Sequence, residues 1–184
     1  MRNARRISTA LLFVLFARFA SAAHAAPDKA PRAAYDAYLT ALAKRDGQAA
    51  ANLVTSRTFD YYEKMRVAAL GAPAAAVKQM AFSDEVMVLA LRGAKKPAEL
   101  RALDGRQIFV EAIERGWIDA SMLGGVKLGK IIVHGDVANG QLMKGDQDLH
   151  FAWTLEREKG AWKNDLRSVV DIIDIVVNQQ LKAA

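Results

Sequence analysis

Residues 126–168 constrain this chain most: VKLGKIIVHGDVANGQLMKGDQDLHFAWTLEREKGAWKNDLRS. Three turn signals, Gly135-Asp136, Gly145-Asp146 and Lys159-Gly160, divide the stretch into four short strands. Within the third, Leu149, Phe151, Trp153 and Leu155 alternate with Asp148, His150, Thr154 and Glu156. A period of two over that length predicts a strand with one buried and one wetter face. On the last strand Trp162, Asn164, Leu166 and Ser168 share one face, Lys163, Asp165 and Arg167 the other.

Helical patterns come first, so the sheet has something to cover. Tyr35, Tyr38, Leu39 and Leu42 recur at helical spacing in a helix running from about 28 to 45. Asp46-Gly47 stops it, and a short helix over 48–54 follows. Thr58 or Ser56 is read as the cap of a helix carrying Phe59, Tyr62, Arg66 and Leu70 on one side. From 73 to 92 the pattern is helical, with a fresh start available at Ser83-Asp84-Glu85; Val86, Leu89 and Ala90 are expected to face inward, with Met87 and Leu91 extending that face. Pro97 opens a short helix, and Asp104 with Gln107 has capping-box spacing for another over 105–115. After the sheet, 169–182 is rich in β-branched residues, yet Ser168, Asp171, Asp174, Asn178 and Lys182 recur every three or four positions. That stripe predicts a mostly buried helix whose wide apolar face closes a pocket or meets a second subunit.

The first 25 residues read as a secretory signal peptide: Arg2, Arg5 and Arg6, an apolar run from Ala10 to Ala17, then small residues to Ala23-His24-Ala25. Cleavage is expected after Ala25, with Ala23 as the rival site, and the product is exported to the periplasm or beyond. The run is about half the roughly 20 residues that a spanning helix needs, so no membrane anchor remains after cleavage. Residues 26–184 then form a single domain. Removing four arginines takes the formal charge from +6 to +2, which leaves no basic stripe for nucleic acid. With no cysteine in the chain, disulfides and thiolate metal sites are excluded.

Helices followed by turn-linked strands that end in Gly160, Trp162, Lys163, Asp165 and Leu166, preceded by His134-Gly135-Asp136-Val137-Ala138, resemble the nuclear transport factor two-like superfamily. The resemblance covers roughly residues 30–168. It implies an α+β cone, with N-terminal helices packed in a strongly curved antiparallel sheet around a cavity, here with an added C-terminal helix. Ketosteroid isomerases, polyketide cyclases, dehydratases and non-catalytic binding domains share that fold, so the resemblance carries no activity by itself.

No motif for chemistry emerges. Gly124 to Ile131 nearly spells a phosphate loop, but Ile131 stands where Ser or Thr must hold Mg²⁺, and a strand follows instead of a helix. Asp148 and His150 share a strand face, the outer one, and two such side chains make a poor metal site. No cofactor and no metal are implied. An enzyme in such a cone needs an inward acid or base; the inward polar residue is Asn164, which is neither, leaving Asp60, Glu63 or Glu111 to reach the cavity. The pocket candidates are therefore Tyr38, Tyr62, Phe151, Trp153, Trp162 and Asn164. The function they suggest is non-catalytic binding of a small apolar ligand or a periplasmic protein partner. An isomerase, cyclase or dehydratase using a carboxylate and a tyrosine is the alternative, as is a homodimeric interaction module.

Overall fold

The computed structural model describes residues 28–183, and the expected signal peptide lies outside them. The described chain is α+β. Its helices are α1 (Lys29–Ala43), α2 (Gly47–Ala51), α3 (Ser56–Gly71), α4 (Ala74–Val77), α5 (Phe82–Ala94), α6 (Pro97–Arg101), α7 (Gly105–Glu114) and α8 (Leu166–Ala183). Between α7 and α8 run β1 (Val126–His134), β2 (Val137–Lys144), β3 (Gln147–Glu158) and β4 (Ala161–Asn164), an open antiparallel sheet in chain order.

Turn chemistry sets the hairpins where the sequence predicts them. Gly135, Gly145 and Gly160 all have positive φ, and Lys159 joins Gly160 in the left-handed region, the backbone that a tight two-residue hairpin requires. The Asp104–Gln107 capping box opens α7 as its spacing predicts, with reciprocal bonds of 2.7 and 2.8 Å. At α3 the cap position falls on Thr55, and Ser56 donates its N–H and hydroxyl to Glu158 of β3.

One face of the sheet lies on the helices. Ala138, Gly140, Trp153, Leu155, Trp162 and Asn164 point inward against Tyr35, Tyr38 and Leu42 of α1 and against Val54. Two irregularities flank Gln141 of β2. Pairing with β1 shifts register between Leu128 and Ile131, and pairing with β3 shifts between Asp148 and Ala152. Bulges of this kind bend a strand and re-aim its side chains.

The 73–92 segment is two helices, broken over 78–81, with the second starting beside the fresh start that Ser83-Asp84-Glu85 offers. Three expectations need correction. On α5 the inward residues are Val88 and Leu91, whereas Val86, Leu89 and Ala90 are exposed. The helix is apolar nearly all round, so its period could not choose a face; polar tethers choose it. Lys64 and Arg167 flank buried Asp84, and Ser83 N donates to Asp174 of α8 at 2.8 Å. The polar stripe of α8 is likewise not simply outward: Asp174 is buried as an acceptor for the N-terminus of α5, while Ile173 and Ile175 are exposed. Asp165, assigned to the outer face, is buried where β4 ends, held by Arg57 at 2.8 Å.

Candidate functional site

Five of the six pocket candidates are packed into the core. Trp153 is 2 % exposed; its ring meets Tyr35 edge-on at 5.1 Å and Tyr38 at 6.2 Å. Tyr62 packs edge-to-face on Phe109 at 5.4 Å, and Trp162 is buried beneath the Arg157 guanidinium at 4.8 Å. Asn164 is fully buried with its amide spent: the oxygen accepts from Trp153 Nε1 at 2.8 Å, and the nitrogen donates to the Leu53 and Ala34 carbonyls. Aromatic rings and a satisfied amide fill the space between this face of the sheet and α1.

The same burial governs the tyrosines. All four in the chain have phenol pKa values raised above the ordinary value, chiefly by burial. Tyr35 is pushed up to about 12, and Tyr38, Tyr61 and Tyr62 rise further. An unfolded tyrosine ionises near pH 10, so raising pH favours the unfolded chain, and stability present below that value is lost as pH climbs toward the folded values. Urea midpoints are expected to fall from about pH 10 upward. Phenolate absorbance is expected to appear together with unfolding; free ionisation of folded protein near pH 10 would contradict this packing.

The carboxylates proposed for catalysis are committed elsewhere. Asp60 is exposed. Hydrogen bonding from Arg66 holds Glu63 below the usual carboxylate range. Burial alone would raise Glu111, but Lys95 and Arg115, both at 2.6 Å, hold it low. The carboxylates that burial does capture, Asp84, Asp165 and Asp174, were not legible as such. Each neutralises a cation or a helix end: Asp84 lies among Lys64, Arg167 and Tyr61, and Asp165 also accepts from Thr55.

Phe151 departs from the other five. His150 takes a positive φ of 59°, and histidine is among the non-glycine residues that tolerate this region. Burial still alternates along β3: Leu149 and Phe151 are half-buried against the core cluster that holds Trp153, His150 and Ala152 are exposed, and Phe151 also lines a groove on the outer sheet face. The groove encloses about 440 Å³. Phe151, Ile132 and Ala152 form its apolar lining; Lys130, Asn139, Gln141, Asp148 and His150 supply the polar edge. Asp148 accepts from Gln141 Nε2 at 2.7 Å and from His150 N at 2.8 Å, and these bonds hold its carboxyl below the ordinary value. The His150 imidazole stays 3.5 Å from it and open to solvent. Among the described residues no group of three metal-ligating side chains occurs.

A second groove, about 720 Å³, lies between the α2–α3 junction and the β3–β4 hairpin. Its charges serve the fold. Arg106 and Lys163 bond the carbonyls of Ala51 and Asn52 at the end of α2, and Glu158 covers the N-terminus of α3. The outer groove is thus the better site.

No family model, curated protein or solved structure matches the chain. The site therefore rests on its own geometry. No helix among the described residues is long and apolar enough to cross a membrane.

Proposed function

We propose that this is an exported, non-catalytic binding module of the nuclear transport factor two-like kind, a curved-sheet cone whose interior is filled and whose binding surface lies outside. Its partner is a polypeptide presenting an apolar side chain beside an acidic residue. The outer groove carries this reading. Paired irregularities either side of Gln141 bring Lys130, His150 and Phe151 to one depression. Such an open groove cannot enclose most of a small ligand, as dedicated cavities do. A protruding side chain, by contrast, arrives with its own surface to seal the rim. Lys130 has no ion pair among the described residues and is free to meet the acid. Export is supported by the basic, apolar and small-residue succession of 1–25.

The test is cross-linked capture from the periplasm with wild type, Phe151→Ala and Lys130→Glu. Both residues line the groove, and circular dichroism of each variant, with Phe151 half-buried against the core, checks that folding is intact. Each is expected to weaken capture of the same partner about tenfold, the loss of one hot-spot contact. Equal capture by all three proteins would sink the groove. A stable small adduct in native mass spectra, lost with Phe151→Ala, would replace the protein partner by a small apolar ligand.

A further inference from the structure

The α5 helix is apolar on two opposite sides. Asp84, Val88 and Leu91 face inward, and directly opposite, at i, i+4, i+7 and i+11, stand Phe82, Val86, Leu89 and Gly93. The three large side chains are 46, 48 and 51 % exposed. A helix hydrophobic all round belongs in an interior, and a contiguous exposed stripe of this kind marks a contact.

Gly93 identifies the occupant. A glycine in a helix costs up to about 1 kcal/mol relative to alanine. Here φ is not positive, so no left-handed cap needs it, and a Cβ would meet nothing within 4 Å. Nothing among the described residues asks for glycine at this position, whereas a second backbone approaching the stripe does. The stripe is also complementary to itself when reversed. About a two-fold axis between Met87 and Val88, Phe82 falls opposite the partner's Gly93, and Val86 opposite the partner's Leu89. The largest side chain meets the missing one. The charges left for a partner agree: Asp84 and Arg92 are taken up inside the molecule, by Lys64 and Arg167 and by the carbonyls of Ala68, Ala69 and Ala72, which leaves Glu85 in the first turn and Lys96 just beyond the last. Neither Glu85 nor Lys96 has an ion pair among the described residues, and antiparallel helices bring each near the other's opposite charge.

We propose that α5 forms the contact of a two-fold homodimer, two copies antiparallel, with Phe82 of each over Gly93 of the other. Such an interface is isologous and therefore closed. One pair of 13-residue helices makes a small interface, so association is expected in the micromolar range. It does not depend on the outer groove.

A chain without cysteine gives a clean test on protein recovered after export. In the double variant Phe82→Cys/Gly93→Cys the two positions of one chain are about 16 Å apart along the helix, beyond disulfide reach. Oxidation is expected to yield a covalent dimer from the double variant and none from either single variant. Sedimentation of wild type at about 100 µM, well above a micromolar Kd, is expected to show the dimer. Gly93→Leu, which meets open space in the monomer, is expected to abolish it with an unchanged circular dichroism spectrum. Cross-linking through Phe82→Cys alone, or a dimer that persists in Gly93→Leu, would overturn the antiparallel contact. So would a wild-type monomer at that concentration, whether the stripe is bare or covered by residues 1–27 or by another protein.

Discussion

Replacing Trp153 with alanine is expected to destabilise the protein by about 4 kcal/mol, within the range for emptying a buried aromatic site. Two losses combine. The indole leaves a void between Tyr35 and Tyr38 on one side and Leu155 on the other, in a part of the core too close-packed to collapse on it. The Asn164 carbonyl oxygen then loses its only side-chain donor while remaining buried, which adds the cost of an unsatisfied acceptor. For a domain of this size the melting temperature should fall by about 8–16 °C. Phe151→Ala is the matched control, two residues away and only half-buried at the margin of the core, with a clearly smaller expected cost of about 2 kcal/mol or less. Thermal and urea unfolding of the two variants decide between a filled and a hollow interior. If Trp153→Ala costs no more than Phe151→Ala, the ring was lining a cavity and the small-ligand reading returns.

The contrast between those two aromatic residues also marks how far the sequence could be read. The four strands and their turns were legible because the information is local: glycines at the turns and alternation along Leu149 to Leu155. The buried face of α1 was legible for the same reason, since Tyr35, Tyr38 and Leu42 are large side chains at helical spacing in a helix otherwise built mainly of alanine and a few polar residues. Phe151 keeps the predicted alternation, half-buried against the core; that it also lines an outer groove was not legible, because the positive φ at His150 cannot be read from residue type alone. The rotation of α5 failed differently. Its residues are apolar on every side, and the deciding contacts, Asp84 with Lys64 and Ser83 with Asp174, join positions 20 and 91 apart. Periodicity cannot report contacts of that range. The outer groove was hidden likewise, because it depends on two register shifts on neighbouring strands meeting beside Gln141. Asn164 was read correctly as inward and polar; that its amide is fully used by Trp153, Leu53 and Ala34 required the fold.

Glycines carry the other large effect. Gly105 opens α7 where that helix crosses α3, and a Cβ there would fall 2.6 Å from Glu63 N and against the Phe59 carbonyl. Both obstacles are backbone, so no rotamer change relieves them; the helices must separate. Separation pulls on Ile108, Phe109 and Ile113, all buried, and on the Phe109 ring packed between Phe59 and Tyr62. It also strains the bond by which Gly105 N–H donates to the Glu63 carboxylate at the helix start. Gly105→Ala is therefore expected to cost about 3 kcal/mol, the upper part of the usual overpacking range, despite the better helix propensity of alanine. Gly93→Ala makes the opposite prediction in the same assay. With open space around it, the monomer should be unchanged or more stable by up to about 1 kcal/mol, and only self-association should weaken. Urea unfolding at concentrations below the dimerisation range separates the cases. Equal stability of both variants would mean that α3 and α7 do not meet at Gly105. A destabilised Gly93→Ala monomer would mean that an intramolecular neighbour needs that glycine, which would remove the argument for a second α5 lying against it.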